Sequence, residues 1–515
     1  MQFDVVVIGG GHNGLSCARK LAAEGLKVGV FERSNMLGGA ARTEELWPGY
    51  RVSSFSYVLS LMPQAIIKEF ELESYGLRMF NMDPSMVQPF PEGRLLTLWR
   101  DPLKTLDEIA KFSKKDAETA VDYYREWDKF FNVFDRHLLT PEPPRIGELE
   151  DELYRTGLAH LVPTMLYGSV GRFLDENFEA KEVKAALSAE AIIGTHAGPY
   201  SPGNMANMIL HSMGMSTGAR GAWAYVEGGM GSVSMAIARS AEAKGATIVT
   251  GNPVSEVIVR NGRAAGVKLS DGRVVESRVV VSNADIKTSL LDLVDRDALE
   301  QIVRSRVAGL SSNGVSMKVH LALESLPHFR KGIEGSLASS SIIHIGPSLE
   351  YLEKAYDESK YGTPSGKPFV SLEFPTVYDT TLAPAGKHIA TMFVQYAPYH
   401  SKRNWDDMKE EYTKKVLDTV EEYVPDIRSK ILNTHTYTPK DIEKVVGIKE
   451  GNIHHIDLTL DQAFGNRPLP GWGYTTPITG YYLCGASTYP GGGVSGVCGY
   501  NSATKIIADI RQGRV

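Results

Sequence analysis

A glycine-rich turn that directly follows a short β-branched run near the N-terminus constrains the fold of this chain more than any other feature. Residues 5–8, VVVI, are typical of a parallel strand that is buried on both faces, and residues 9–14, GGGHNG, follow at once. The turn has the spacing GxGxxG through Gly9, Gly11 and Gly14. In such a turn the first glycine permits a tight bend, the second lets the backbone approach a pyrophosphate, and the third lets the next helix pack closely on the strand.

The segment after the turn supplies the remaining parts of a nucleotide-binding βαβ unit. Residues 15–24 are predicted to form the helix whose N-terminal amides and dipole face the phosphates, with His12 and Asn13 shaping the turn before it. A second strand at residues 27–31 ends at Glu32, and an acid about 20 residues beyond the glycines accepts a hydrogen bond from a ribose 2′-hydroxyl. Strand, glycines, helix, strand and acid occur in this order, so the sequence predicts nucleotide binding.

A second glycine turn directly after the acid distinguishes between the dinucleotide cofactors. It comprises Gly38, Gly39, Ala40, Ala41, Arg42 and Thr43. At this place the chain resembles the large FAD-binding family that includes amine oxidases and phytoene desaturases, whose members carry a pair of glycines here. The resemblance implies that FAD is the cofactor. The family's usual arginine after the glycine pair is Ala40 in this chain, so a charged contact with the pyrophosphate is expected from Arg33 or Arg42.

Two further segments are predicted to return to the cofactor. Strands that start at Val254 and end near residue 281 lead to a small-residue turn at Asn283 and Ala284. A glycine motif at 227–231 lacks an acid after its following strand, so a second NAD(P)H site is rejected. Near the C-terminus, a strand at 481–484 leads into a glycine-rich turn and a helix over 494–511, whose unpaired amides are expected to meet the flavin and its ribityl arm. The cofactor-binding residues predicted in this turn are Gly485, Ala486, Gly491, Gly492, Gly493 and Val494.

Taken together, the motifs resemble those of the phytoene desaturase-related flavoproteins along nearly the whole chain. They are GHNGL at 11–15, GGAA at 38–41, EGGMG at 227–231, GNIHHIDLTLDQ at 451–462 and LCGASTYPGGGVSG at 483–496. Within this family the likeness is strongest to the group of pyridine nucleotide-disulfide oxidoreductase domain-containing protein 2 and to flavin-dependent carotenoid ketolases. The resemblance implies an α/β fold with a Rossmann-like FAD-binding domain of the glutathione reductase and amine oxidase type. It also implies an FAD enzyme with a small hydrophobic substrate, which is carotenoid-like, isoprenoid-like or another apolar molecule.

The order of the patterns predicts three interleaved parts. The FAD-binding domain is expected to be discontinuous, over residues 1–60, 222–297 and 470–515. Residues 61–100 and 298–469 are expected to form a substrate domain with a mixed or antiparallel sheet, because the alternating apolar residues at 315–323 are typical of a half-buried strand. Residues 101–221 are expected to be a largely helical insertion, because apolar residues there recur at three- and four-residue spacing.

Composition narrows the range of partners and compartments. A net charge of −6 and the lack of a long Lys/Arg run give no general attraction to nucleic acid. The three cysteines include no CxxC pair, which excludes a dithiol active site and favours a reduced, cytoplasmic setting. No run of about 18 apolar residues is present to span a bilayer, and peripheral contact with a membrane stays open. The oligomeric state is also left open.

Catalysis is predicted to depend mainly on the flavin, which accepts hydride at N5 while the protein orients the substrate and excludes water. His455 is the candidate for a group near the flavin or the substrate, and a role in tying two segments together is the alternative. Tyr57 and Tyr396 are candidates either for walls of a substrate channel or for the core. His454 and His455 are adjacent, and neighbours on a strand face opposite ways, so no metal site is expected.

Three functions remain open at this level. The first is an FAD-dependent oxidoreductase that desaturates or otherwise oxidises a hydrophobic substrate and passes the electrons to oxygen, a quinone or another acceptor. The second is a redox-neutral, flavin-dependent polyene isomerase. The third is a non-catalytic protein that flavin stabilises and that binds or regulates another molecule.

Overall fold

The computed structural model describes residues 2–515. Its strands, numbered along the chain, are β1 (Val5–Ile8), β2 (Val28–Phe31), β3 (Thr43–Trp47), β4 (Tyr50–Ser53), β5 (Met79–Asn81), β6 (Met86–Pro89), β7 (Leu95–Leu98), β8 (Ala224–Val226), β9 (Thr247–Val249), β10 (Val254–Arg260), β11 (Arg263–Leu269), β12 (Val274–Glu276), β13 (Val279–Ser282), β14 (Met317–Leu323), β15 (Ile342–Ile345), β16 (Phe369–Glu373), β17 (His388–Gln395), β18 (Ile431–Tyr437) and β19 (Tyr481–Leu483). Its α-helices are α1 (His12–Ala23), α2 (Gln64–Glu69), α3 (Pro102–Ala110), α4 (Lys114–Arg136), α5 (Ile146–Arg155), α6 (Val162–Met165), α7 (Val170–Asn177), α8 (Lys181–Ser188), α9 (Met205–Ser212), α10 (Gly231–Ala243), α11 (Gln301–Ala308), α12 (Gly335–Ser339), α13 (Leu349–Ser359), α14 (Trp405–Glu421), α15 (Ile427–Lys430), α16 (Pro439–Val446) and α17 (Val497–Arg511).

Strand β1 lies at the centre of a five-stranded parallel sheet with the order β19–β13–β1–β2–β9. All four residues of β1 are buried, as expected of a β-branched run that is covered on both faces. Helix α1 packs against both α10 and α17. The sheet therefore brings the first and last segments of the chain together, and the predicted α/β fold class is confirmed.

The helices that begin at the two terminal glycine turns start at different residues from those predicted. Helix α1 begins at His12, because Gly11 is its N-cap and has an extended backbone. The free amides of the first helical turn therefore belong to residues of the glycine motif itself. Helix α17 begins at Val497, because Gly496 before it adopts the left-handed conformation with φ +71°.

The larger sheet is mixed and has the order β18–β14–β17–β16–β15–β6–β7. The prediction that β14 has one exposed face is wrong, because all seven of its residues are buried. Met317 and Val319 pack with the apolar side of α14. On the opposite face, His320 hydrogen-bonds through Nε2 to the Ser54 carbonyl at 3.0 Å, and Lys318 points to an internal cavity. The polar residues of β14 thus mark an internal surface rather than one that faces solvent.

Helices α3 to α9 occupy most of the segment predicted to be helical. Several begin at side-chain caps, such as Asp101 on the amide of Leu103 and Ser113 on the amide of Asp116. Aromatic residues of α4 join a core that also includes residues of α2 and α10. Among residues 2–515 there is no helix with the length and hydropathy needed to cross a membrane. The division of the chain into three parts stays a prediction.

Candidate functional site

A cavity of about 450 Å³ lies between the two sheets. One side is formed by the carboxyl ends of β1 and β2 and by the start of α1, and the other side by β14, β17 and α16. Open parallel sheets bind ligands outside the carboxyl ends of their strands. The cavity is therefore the candidate site for both cofactor and substrate.

Most of the residues predicted to hold the cofactor line this cavity, and so does His455. The lining set comprises Gly9, Gly11, His12, Asn13, Glu32, Arg33, Gly38, Gly39, Ala40, Val254, Asn283, Ala284, Ala486, Gly493 and Val494. The other predicted residues lie behind the lining and shape it by packing or hydrogen bonds, and they are Gly14, Ala41, Arg42, Thr43, Gly485, Gly491 and Gly492. Contact of each residue with FAD stays a prediction.

Close contacts leave no room for a side chain at two glycines of the first turn. A Cβ atom on Gly14 would lie 2.2 Å from the carbonyl oxygen of Gly9, and one on Gly11 would lie 2.7 Å from the Asn283 side-chain nitrogen. Such contacts are far below van der Waals distance, so no larger residue fits without a shift. The result is a narrow groove of backbone amides at the start of α1, which fits the diphosphate of FAD.

Glu32 ties the first glycine turn to the end of β2. Its Oε2 accepts a hydrogen bond from the Gly10 amide at 2.7 Å, and its Oε1 accepts one from the Ser34 amide at 2.7 Å. The Gly38 amide in turn donates to the Gly10 carbonyl at 2.8 Å, which joins the two glycine turns. The carboxylate is thereby fixed at the cavity wall, in a position suited to its predicted contact with the ribose.

The substitution Glu32→Gln is expected to weaken FAD binding roughly 30-fold, which corresponds to about 2 kcal/mol for a lost charge-assisted hydrogen bond. Glutamine keeps the shape but turns an amide donor toward backbone groups that are themselves donors. Titration of FAD into the flavin-free chain, followed by fluorescence quenching, measures the effect. Glu73→Gln changes an exposed acid and is the matched control. Wild-type affinity in Glu32→Gln would contradict the role of this carboxylate.

Arg33 and Arg42, the two predicted charge contacts for the pyrophosphate, are engaged elsewhere. Arg33 donates from Nη2 to the carbonyls of Lys444 and Val445, at 3.3 and 3.2 Å. Arg42 pairs with Glu44 at 2.9 Å and is not among the lining residues. Arg33 thus lines the cavity with its Nη2 held by α16, and Arg42 lies behind the lining with an Nε that has no hydrogen-bond partner within residues 2–515.

Helix α16 covers the end of the cavity where Glu32 and Arg33 lie. Ile442 and Val446 line the cavity, and a Cβ atom on Gly447 would lie 2.8 Å from the guanidinium carbon of Arg33. The helix begins with a capping box between Thr438 and Asp441. The TPKD sequence shows where this helix starts, but only the tertiary structure shows that it covers the nucleotide end of the cavity.

The opposite end of the cavity is an apolar chamber, defined here by Tyr57, Val58, Leu61, Ile193, Trp223 and Phe393. The rings of Tyr57 and Phe393 lie with their centroids 6.1 Å apart. Tyr57 is therefore a wall of the cavity. Tyr396 is instead buried in the core, where its hydroxyl donates to the Ala197 carbonyl at 2.6 Å.

Lys318 faces the apolar chamber and was not among the residues predicted from the sequence. It is 2% exposed, its Nζ lies 4.2 Å from the centre of the Tyr57 ring, and that nitrogen has no hydrogen-bond partner within residues 2–515. Burial lowers the pKa of Lys318 to about 8, against the opposing influence of Glu373. The signal in the sequence is a lysine that alternates with apolar residues in the strand MKVHLAL, a pattern that a solvent-facing position would also give.

Glu373 is the carboxylate that accompanies Lys318. It is completely buried, and its Oε1 accepts a hydrogen bond from the Ser371 hydroxyl at 2.5 Å. Burial raises the pKa of Glu373 to about 8, while Lys318 and Ser371 act in the opposite direction. The apolar chamber thus has a lysine at its wall, and a buried carboxyl group outside the lining opposes the fall in the pKa of that lysine.

Arg467 holds the GNIHHID segment against the C-terminal glycine turn. Its guanidinium is fully buried and donates to the carbonyls of His454 at 2.5 Å, Ala486 at 2.7 Å, Gln462 at 2.9 Å and Asp457 at 3.2 Å. Burial lowers the pKa of Arg467 to about 10, so the side chain is still charged at neutral pH. This side chain therefore fixes the backbone on both sides of the cavity near His455.

The expectation that His454 and His455 face opposite ways on a strand is wrong, because the segment is a turn in which His455 has φ +68°. Both side chains line the cavity. His455 lies with Nδ1 3.4 Å from the Ser487 hydroxyl. Among residues 2–515, no three His, Cys, Asp or Glu side chains are grouped as metal ligands would be.

Comparison with known proteins agrees with the flavin-binding motifs of the sequence. The model of the flavin containing amine oxidoreductase family matches residues 14–499. The chain is 36% identical to pyridine nucleotide-disulfide oxidoreductase domain-containing protein 2 of Rattus norvegicus, over 99% of this chain and 94% of that one. It is 26% identical to one of the subunits of limonene dehydrogenase from Castellaniella defragrans, over 99% and 95% of the two chains, and 26% identical to the lycopene-forming phytoene desaturase of Pseudescherichia vulneris, over 97% of each.

The fold is also found among solved structures. An oxidoreductase from Methanosarcina mazei aligns over 99% of this chain and 100% of its own, with a TM-score of 0.63 and 18% identity. The alignment covers nearly the whole of both chains, so the fold is a known one.

Proposed function

Since the chain belongs to the flavin containing amine oxidoreductase family and its cofactor is FAD, we propose that it oxidises a hydrophobic, isoprenoid-like substrate in the apolar chamber. FAD, when bound, supplies the acceptor for the hydride that leaves the substrate. The protein's own contribution is to bind the substrate, to orient it and to exclude water.

The observation that carries the proposal is the apolar chamber, which is continuous with the groove beside α1. Its walls are aromatic and aliphatic side chains, and the histidine side chains at its edge are neutral, because burial lowers the pKa of His211 to about 4 and that of His454 to about 3. A flat, apolar molecule matches such a surface, whereas a molecule with several charged groups would find little besides Lys318 to compensate for its lost hydration. Two relatives, named as part of a limonene dehydrogenase and as a phytoene desaturase, support an isoprenoid-like substrate.

Within this proposal, Lys318 is the residue that holds or moves a proton beside the reacting part of the substrate. Its Nζ is the basic group at the chamber wall, and the charge of the buried Glu373 acts on it. A group with a pKa near the working pH is suited to proton transfer. Tyr57 covers the ammonium group with its ring and limits the access of water.

The proposal is tested by mixing the oxidised holoenzyme with terpenes and carotenoid precursors without oxygen. We expect one of these compounds to bleach the flavin absorbance and to yield a product lighter by two hydrogens. Oxygen and a soluble quinone then serve as candidate acceptors for the return step. A product of unchanged mass would indicate an isomerase, and a flavin that no compound of the panel reduces would contradict the proposed oxidation.

The substitution Lys318→Met is expected to lower turnover roughly 100-fold, the usual contribution of one proton-transfer group, while FAD content stays at the wild-type level. Methionine fills a similar volume and places no charge in the core, so the fold is expected to tolerate it. Stopped-flow measurement of flavin reduction reports the rate. Lys354→Met is the matched control, because that side chain is 73% exposed. Wild-type reduction by Lys318→Met would remove Lys318 from the proposal.

A further inference from the structure

The groove that fits the diphosphate of FAD contains little fixed positive charge. The position after the glycine pair is Ala40, Arg42 pairs with Glu44 outside the cavity, and Arg33 is occupied by two carbonyls of α16. The diphosphate is a dianion, and the dipole of one helix offsets only about half an elementary charge. Further positive charge at the groove would therefore stabilise it beyond what the backbone amides provide.

Two histidines lie at this groove. His12 is the first residue of α1, and its Nε2 is 3.1 Å from the Gly493 carbonyl. His455 lies across the cavity on the segment that Arg467 fixes, with Nδ1 3.4 Å from the Ser487 hydroxyl. Both line the cavity, and within residues 2–515 each has one ring nitrogen without a protein partner. On protonation, each ring therefore gains an N–H for an anion where the start of α1 meets the C-terminal glycine turn.

Both imidazoles are neutral in the protein alone. Burial lowers the pKa of His12 to about 4, against the hydrogen bond to Gly493, which raises it. Burial lowers the pKa of His455 to about 3, and the positive charge of Arg467 acts in the same direction. A dianion bound next to them would raise both pKa values, because an adjacent negative charge favours the protonated form of an imidazole.

The remaining charged groups around the cavity lie on other elements. Glu32 and Arg33 follow β2 at the nucleotide end, Asp285 follows β13, and Lys318 faces the apolar chamber from β14. Asp285 is held by the amide and hydroxyl of Thr288 at 3.0 and 2.7 Å, and burial raises its pKa. Of these groups, Arg33 and Lys318 are the basic side chains, and the hydrogen bonds of Arg33 direct its Nη2 to α16.

We propose that His12 and His455 complete the diphosphate site and that FAD binding is coupled to the uptake of protons by these two side chains. The positive charge at this site then comes from histidines that become cationic only when the anion arrives. The coupling makes FAD affinity depend on pH.

The direction of the pH dependence of FAD affinity follows from the direction of the pKa change. The pKa values are low in the free chain and higher in the complex, so binding takes up protons at any pH between the two values. Affinity therefore increases as the pH falls through the pKa values of the complex. For each proton taken up, the dissociation constant of FAD changes about tenfold per pH unit.

Calorimetric titration of FAD into the flavin-free full chain, in two buffers with different ionisation enthalpies, measures the protons taken up. We expect uptake for FAD and none for riboflavin, which has no phosphate. His12→Gln and His455→Gln each keep a donor of similar size and are expected to reduce the uptake and to flatten the pH dependence. His400→Gln alters an exposed histidine and is expected to behave as wild type.

A second measurement needs no flavin-free protein. The holoenzyme is dialysed at pH 6 and at pH 9, and released FAD is measured by absorbance. We expect more release at pH 9 from the wild type and similar release at both pH values from the double variant. Absence of proton uptake by the wild type, or undiminished uptake by the double variant, would overturn the proposal.

Discussion

Replacing Arg467 by methionine is expected to lower the free energy of unfolding by about 4 kcal/mol, because several buried carbonyls lose a charged donor at once. Arg467 is fully buried and its partners are backbone carbonyls of two segments, from His454 to Gln462 and at Ala486. The same change is expected to release FAD, since His455 and the C-terminal glycine turn lose their common support. Urea unfolding followed by circular dichroism measures the first effect, and flavin absorbance the second.

Two further variants separate the roles of charge and geometry at this position. Arg467→Lys keeps the charge but offers fewer donors in a different arrangement, so an intermediate loss of stability is expected. Arg403→Met removes an arginine whose side chain is 57% exposed and should change stability little. A fully stable, yellow Arg467→Met protein would show that water can replace the guanidinium, and would contradict the role assigned to it.

The substitution Gly14→Ala is expected to weaken FAD binding roughly 100-fold, corresponding to about 3 kcal/mol for forcing a methyl group into a filled space. The new Cβ atom would lie 2.2 Å from the Gly9 carbonyl and 3.1 Å from the Cβ of Asn283. Relief of these contacts would move α1 away from β1 and displace the amides that face the diphosphate. FAD content of the purified variant and its affinity on reconstitution measure the effect.

Gly147→Ala is the matched control for this prediction. Gly147 lies near the start of α5, and a Cβ atom there would meet nothing within 4 Å. Alanine favours a helix over glycine, so stability is expected to be unchanged or slightly higher. If Gly14→Ala binds FAD as well as Gly147→Ala does, the close packing of helix and strand is not what shapes the groove.

The nucleotide end of the site could be predicted from the sequence because its determinants are local. Gly9, Gly11 and Glu32 belong to one βαβ unit, and their spacing along the chain fixes their spacing in the fold. The sequence also predicted that this unit meets the turn at Ala486, because a strand, a glycine turn and a helix occur again near the C-terminus. Those residues line one cavity in the structure.

The substrate end depends on long-range packing and could not be predicted in the same way. Lys318 lies in a strand whose residues alternate in polarity. Its position is internal only because this side of the strand faces the cavity between the two sheets. Arg467 reads as a surface arginine until the carbonyls of distant residues are seen around it. For His455, the left-handed backbone conformation overrides the alternation of a strand, and nothing in the local sequence indicates that conformation.

The central claim is that the first and last segments of the chain converge to hold one FAD. The visible absorption spectrum and flavin content of the purified full chain, before and after addition of FAD, test it most directly. We expect the two visible bands of an oxidised flavin, the release of FAD on denaturation, and a flavin content equal to that of the chain. A colourless protein that takes up no added FAD would contradict the claim.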